Sequence, residues 1–324
     1  MRKRHALVCG ASGQTGSYLC EALLARDYEI YALVRRSSVD NLARIRHLVE
    51  EDRVRVVQGD LTDTPSLNHA LIVSKPEEVY NFAAQSYVAG SFIEPIHTGD
   101  VTGLGALRLF DAVRTMTPIS DAVRTYQASS SEMFGNQPAP QSETTPFAPR
   151  SPYACAKVFA HYCAQVYRMG YGMFIACGIA HNHESERRGE EFVTRKITKA
   201  IGAIKAGKQT ELRLGRLDAA RDWSHAEDIA EAAWLMLQQA EPHDYVLASG
   251  VSHTVKEFAE AAFSEAGLDI TQYLKEDPML YRPLEVVELR GDATKARNEL
   301  GWTPKVDFKT LVKRMVQHDL HETH

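Results

Sequence analysis

Cysteine is scarce in this sequence. Cys9, Cys20, Cys155, Cys163 and Cys177 are five among 324 residues, an odd set without a CxxC pair. That argues against a disulfide framework or a zinc knuckle and suits free thiols in a reducing compartment. An excess of one charge is also missing. Lysine and arginine total 37 against 42 aspartates and glutamates, a formal charge of -5, so no overall field draws the chain to nucleic acid or an anionic membrane. Long apolar runs are absent too. Behind the basic start Met1 to Arg4, the stretch Ala6 to Cys9 stops at Gly10 and Ser12, far short of a signal segment. Nothing later approaches the ~18 residues of a membrane span. The expectation is a cytoplasmic protein without repeats, low-complexity tracts or long linkers.

What is present is ordinary globular material, 44% hydrophobic and 24% charged, enough for one large or two modest domains. Short apolar runs alternate with helical stretches: His5 to Val8, Gln14 to Ala25, Glu29 to Val34, Asn41 to Val49 and Val54 to Gln58. The pattern continues with Pro65 to Val73, Val79 to Phe82, Val101 to Val113 and Thr125 to Ala128. Such alternation predicts a parallel sheet with right-handed crossovers, an α/β fold with a Rossmann-like doubly wound sheet. Past Ile175 the order is less regular, with a polar stretch at Asn182 to Glu191, helices near 193–206 and 227–239, and an extended 211–215. We expect a dinucleotide domain over 1–178 with a returning segment near 222–250. A smaller, mixed α/β lobe over 179–324 should hold substrate at the carboxyl edge of the strands.

Gly10, Gly13 and Gly16 follow the first strand and, with Gln14 and Thr15, open the first helix. Glycines there permit a tight turn and close approach of backbone to a pyrophosphate, with the helix N-terminus facing the anion. Where the second strand usually ends in an acid for a ribose 2'-hydroxyl, this one ends in Arg35, Arg36, Ser37 and Ser38. Two guanidinium groups and two hydroxyls suit a 2'-phosphate, so NADP is preferred over NAD; the bland alternative is a solvated basic loop. Asp60 and Leu61 after the third strand suit the adenine. Ala83, Ala84, Gln85 and Ser86 after the fourth suit the phosphates and the nicotinamide ribose.

Tyr153 and Lys157 stand four apart after Pro152, which starts a helix, so both emerge on one face. A neighbouring ammonium favours the phenolate, and such a tyrosine is a base. Ser130 and Glu132 follow the strand ending at Ala128 and face that helix. A plain dehydrogenase needs only the hydroxyl; a carboxylate beside a nicotinamide can take a proton alpha to a new ketone. The loop with His181, His183 and Glu184 lacks the helical spacing of a zinc-peptidase motif, so no metal is expected. Cys155 reads as a small packed residue.

Together with Asn182 to Ser185, Phe192 to Lys196, Arg221 to Trp223 and Arg282 to Val286, these motifs resemble the extended short-chain dehydrogenase/reductase superfamily, and within it the GDP-mannose 4,6-dehydratase family, over nearly the whole chain. The resemblance implies that Tyr153, supported by Lys157, assists oxidation at sugar C4. Glu132 and Ser130 then promote loss of the C6 hydroxyl as water, and the hydride returns to C6. It places His183 and Arg188 at the cofactor, and Asn182, Lys196, Arg221, Arg282 and Glu285 at the GDP-sugar, with Ser86 shared between the two. It also implies a homo-oligomer, dimer or tetramer, with the Arg35 to Ile45 loop at a subunit interface.

Departures are Ser130 in place of a frequent threonine, His181 in place of an apolar residue, and Arg216 and Ala220 in place of the usual asparagine and lysine. The last three fall near the sugar-nucleotide pocket. Alternatives therefore stay open: a dehydratase of another GDP-sugar such as a GDP-heptose, a GDP-4-keto-6-deoxy-sugar reductase or epimerase, or an NADP-sensing scaffold.

Overall fold

A computed structural model of the chain describes residues 3–115 and 123–322; of the basic start, Met1 and Arg2 lie outside them. The strands are β1 (His5–Cys9), β2 (Glu29–Val34), β3 (Val54–Gln58), β4 (Glu78–Asn81), β5 (Arg124–Ser130), β6 (Phe174–Ala180), β7 (Asn182–Glu184), β8 (Leu212–Leu214), β9 (Ala220–His225), β10 (Asp244–Leu247), β11 (Ser252–Thr254), β12 (Leu274–Glu276) and β13 (Glu288–Leu289). The helices are α1 (Gln14–Leu24), α2 (Arg46–Glu50), α3 (Thr64–Ser74), α4 (Val88–Ile93), α5 (Pro95–Thr98), α6 (Gly105–Thr115), α7 (Pro152–Tyr171), α8 (Val193–Lys205), α9 (Ala226–Leu237), α10 (Val255–Glu265), α11 (Thr294–Leu300) and α12 (Phe308–Glu322).

Seven strands form one sheet in the order β10-β6-β5-β4-β1-β2-β3, every pair parallel. β1, β2 and β6 are close to continuous apolar runs because both faces are covered, whereas β4 and β5 bury polar groups, Asn81 donating to Gln127 at 2.8 Å. Along β1, Ala6 and Val8 join the core under α1 and α9, while Leu7 and Cys9 join the core under α3, α6 and α7. β2 repeats the alternation, with Ile30, Ala32 and Val34 on one face and Tyr31 and Leu33 on the other. The strand order reverses between β1 and β4, and that switch point opens a crevice at their carboxyl ends.

Two smaller sheets belong to the C-terminal part. β11-β9-β13, with β7 also paired to β9, makes one; β12-β8 makes the other. They pack with α8, α10 and α12 around a third core containing Trp223, Phe258, Phe263 and Met315. After β9 the chain returns through α9 to β10 at the edge of the main sheet. The helix expected over 41–49 forms only from Arg46 to Glu50. The Asp40 carboxylate accepts from the Leu42 N–H at 3.0 Å, a local side-chain turn that competes with helix start.

Candidate active site

The carboxyl edge of the main sheet and the C-terminal lobe enclose a cavity of about 620 Å³. Gly10 turns with φ +80°, a conformation that favours glycine, and its carbonyl accepts from the Gly13 N–H at 2.9 Å. A Cβ on Gly16 would stand 2.2 Å from the Gly10 oxygen. This turn is therefore a cradle only glycines can form, at the N-terminus of α1, and it fits a dinucleotide pyrophosphate. Gln14 ties it to the lobe: its amide donates to the His183 carbonyl at 3.0 Å and accepts from Ser185 Oγ at 2.8 Å.

On the sheet side the cavity is lined by Gly10, Gly13, Gln14, Thr15, Gly16, Arg35, Asp60, Leu61, Ala83, Ala84 and Ser86. Ser130, Glu132, Tyr153 and Lys157 form its central wall; Asn182, His183, Arg188, Lys196, Arg221, Arg282 and Glu285 face them. Arg36, Ser37, Ser38 and Gln85 do not line it. Ser37 Oγ accepts from the Val39 N–H at 3.1 Å, shaping an exposed turn, and the Gln85 amide bridges Thr98 Oγ1 at 3.0 Å and the Tyr87 N–H at 2.6 Å. Both residues organise loops rather than the cavity wall.

The central wall is tightly organised. Ser151 caps α7, its Oγ accepting from the Ala154 N–H at 3.1 Å, and Pro152 begins the helix. β5 runs two residues beyond Ala128, and Ser130 Oγ accepts from the Glu132 N–H at 3.2 Å. That leaves the Ser130 hydrogen for the Tyr153 phenol, which the bond makes more acidic. Burial nevertheless dominates, pushing Tyr153 up to about 12. Lys157 stands one helical turn beyond Tyr153 on the same face of α7. Its ammonium lies 5.8 Å from the Tyr153 ring centre and donates to the Ala128 carbonyl at 2.7 Å, and burial lowers it to about 8.

The facing wall is held by ion pairs. Arg221 is buried, lies 3.4 Å from Glu285 and donates to the Val286 carbonyl at 3.0 Å; burial works against its charge, and the Glu132 carboxylate favours it. Arg282 stands 3.8 Å from Glu285. Arg188 pairs with buried Glu184 at 3.0 Å and packs over Phe192. Burial lowers His181 and His183 to about 4, so both rings are neutral at pH 7. Among the described residues, the side chains grouped closely enough for a metal are His318, Asp319 and Glu322 on α12, away from this loop.

Glu184, Phe192 and Trp223 stood in the sequence only as members of motifs, and Asn41 only as part of the 35–45 loop; the structure puts all four on the cavity wall. Glu184 and Trp223 lie on β7 and β9, which pair with each other, a proximity that no local sequence period records. Cys155 is exposed rather than packed.

The chain matches the GDP-mannose 4,6 dehydratase family over residues 7–315. It is 53% identical to GDP-mannose 4,6 dehydratase 1 of Arabidopsis thaliana, across 98% of this chain and 90% of that one. The chain belongs to the GDP-mannose 4,6-dehydratase family. The human enzyme of that family is 45% identical across 97% of this chain and 91% of its own. Among solved structures, the UDP-glucose 4-epimerase of Thermus thermophilus in complex with NAD superposes with a TM-score of 0.83 at 27% identity, covering 97% of this chain and 98% of that one. Members of the dehydratase family are enzymes, and the fold is that of nicotinamide-dependent epimerases and dehydratases.

Proposed function

We propose that the protein converts GDP-mannose to GDP-4-keto-6-deoxy-mannose with loss of water, a hydro-lyase reaction built on oxidoreductase machinery. The observation that carries this reading is the meeting of a carboxylate, Glu132, with Ser130, Tyr153 and Lys157 on one cavity wall. A plain dehydrogenase has no use for the carboxylate, and a sensor has no use for all four.

The cofactor is NADP in this reading. The glycine cradle, Asp60, Leu61, Ala83, Ala84 and Ser86 hold it, with His183 and Arg188 at its far end and Arg35 at the 2'-phosphate. When bound, its oxidised nicotinamide accepts a hydride, returns it later, and adds positive charge that favours the Tyr153 phenolate. Tyr153 takes the proton of the sugar C4 hydroxyl as that carbon is oxidised. Lys157 stays protonated beside it. Glu132 then removes the proton at C5, made acidic by the adjacent ketone, and passes a proton to the departing C6 hydroxyl, which Ser130 steers as it leaves as water; as hydride adds at C6, C5 takes up a proton, which balances the one Tyr153 took from the C4 hydroxyl. Arg221, Arg282 and Lys196 supply positive charge for the diphosphate, Asn182 a polar contact, and Glu285 an acceptor for guanine N–H groups.

A homo-oligomer is supported by an uncovered apolar face. Cys155, Phe159, Tyr162, Val166 and Met169 share one side of α7, beside Ile93 and Ile96 of α4 and α5, and Ile96 is 84% exposed. A patch of this kind across neighbouring helices suits a contact with a second copy, and that is its role in this reading. The Arg35 to Ile45 loop, exposed over Arg35 to Asp40, supplies a further contact in a tetramer in this reading. The cytoplasm remains the proposed location; among the described residues no helix is long and apolar enough to cross a membrane.

The test is incubation of purified protein with GDP-mannose without added reductant. A 4-keto chromophore in alkali, with no net change in NADPH, supports the reading; NADPH consumption with a keto-sugar, or no reaction, contradicts it. GDP-heptose belongs in the same assay, because Arg216 lines the cavity and pairs with Asp218 at 2.6 Å where a smaller side chain was expected.

A further inference from the structure

Behind the central wall runs a chain of polar groups, buried at Ser129 and His161 and half-buried beyond them, that the reaction scheme does not use. Ser129, between Ala128 and Ser130 on β5, lines the cavity and is 5% exposed. Its Oγ lies 2.8 Å from Nδ1 of His161, a residue of α7 that is 1% exposed. The other ring nitrogen of His161 lies 3.2 Å from the Gln165 amide nitrogen, which also donates to Asp244 at 2.8 Å. Asp244, at the start of β10, is bound in turn by Arg168, whose Nε donates to the Ile175 carbonyl of β6 at 2.8 Å.

The chain fixes the imidazole. A carboxylate on the Gln165 nitrogen identifies that atom as a donor, so it faces a lone pair on His161 Nε2. The ring hydrogen then sits on Nδ1 and points at Ser129. Burial lowers the ring's affinity for a second proton, against the pull of the Asp244 carboxylate 3.6 Å from Nε2. A fully satisfied buried network of this kind adds little net stability over apolar packing, but it specifies one arrangement.

The arrangement specified here is the seat of the catalytic helix. Tyr153, Lys157 and His161 occupy i, i+4 and i+8 on α7, one row down a single face. Lys157 is hydrogen-bonded to Ala128 and His161 to Ser129, so α7 is stitched to β5 at the two residues directly before Ser130. We propose that His161 is a positioning residue: through Ser129 it sets the register of α7 against β5, and with it the spacing between Tyr153 on the helix and Ser130 and Glu132 beyond the strand. Small misplacements of reacting groups cost rate steeply. This role rests on the dehydratase reading.

The test compares Ser129→Ala, His161→Leu, His161→Asn and the Ser129→Ala/His161→Leu double variant in turnover of GDP-mannose, with kcat expressed per mole of bound cofactor. Ser129→Ala and His161→Leu should each lower kcat about tenfold or more while KM stays within about twofold. The double variant should be no slower than the worse single one, because both break the same link. His161→Asn, whose amide reaches the place of Nδ1, should recover most of the rate. Unchanged kcat in Ser129→Ala, multiplied losses in the double variant, or no rescue by Asn would each overturn the role. Should His161→Leu fail to fold, Ser129→Ala and His161→Asn decide alone, since the first removes a single oxygen. Absence of turnover by the wild type would overturn the reaction and this role with it, whereas equal turnover by wild type and Ser129→Ala removes the role alone.

Discussion

The two walls of the cavity are held by different means. On the sheet side, functional groups are tied to backbone: Lys157 to the Ala128 carbonyl, Ser130 to the Glu132 N–H, Gln14 to the His183 carbonyl, and the glycine turn to itself. On the lobe side, charged groups mostly hold one another, as in Arg282 with Glu285, Arg216 with Asp218, and Arg188 with Glu184, while Arg221 joins its ion pair with Glu285 to the Val286 carbonyl. Backbone partners are set by the fold and leave a side chain little freedom, whereas ion-paired side chains can exchange partners when a charged ligand arrives. Chemistry that needs fixed distances is thus on the first wall, and recognition that tolerates adjustment on the second.

The contrast is sharpest in the catalytic pair. Tyr153→Phe should lower the first oxidation about 10²–10⁴-fold, the range for loss of a positioned acid-base group, and suppress the appearance of reduced cofactor in a single turnover. Glu132→Gln should slow overall turnover by a comparable factor yet still permit cofactor reduction, read as nicotinamide absorbance on the order of a single equivalent. Equal rates for Glu132→Gln and wild type would remove the carboxylate from the chemistry and with it the distinction between the walls.

A pH profile probes the same wall with a smaller effect. Burial lowers Lys157 to about 8, so the ammonium is present below that pH and is lost as pH rises through it. Activity, as kcat/KM, should therefore fall above about pH 8, and Lys157→Arg, which stays charged, should carry that limb upward. A wild-type profile flat to about pH 10 would contradict the need for the cation.

The smallest effect is expected at the cofactor's edge. Arg35 lines the cavity and Arg36 does not. Arg35→Ala should weaken NADP about tenfold more than NAD in a binding titration, the loss of one charge-assisted contact, while Arg36→Ala should change little. An equal response of the two cofactors to Arg35→Ala would argue against a 2'-phosphate partner there.

Legibility in the sequence follows the same division. β1 and β2 announce themselves because strands covered by helices are apolar runs bounded by turn residues, and Tyr153 and Lys157 are found because helical spacing is local. Asn41 to Ile45 misled, since Asp40 closes a turn with its own carboxylate where apolar residues suggested a helix. Arg35 and Arg36 look equivalent in sequence, but only the residue directly after β2 lines the cavity. Cys155 looked small enough to pack, yet it falls on the same side of α7 as Phe159 and Tyr162, which stay exposed. His161 was within reach of the helical row begun by Tyr153, but its partner Ser129 comes from a strand far away in sequence. The lobe wall was legible only through likeness to a family, because Glu184 and Trp223 come together through the pairing of β7 with β9 and Glu285 reaches Arg221 from a distant loop, neither of which a local period records.

The central claim is that one hydride leaves C4 of the mannosyl ring and comes back at C6 of the same molecule. GDP-mannose carrying deuterium at C4, mixed with unlabelled substrate and turned over once, tests it by mass spectrometry and NMR of the product. The account predicts deuterium in the new methyl group, confined to molecules that began labelled. Loss of the label to solvent, its retention at C4, or its spread to unlabelled molecules would contradict it.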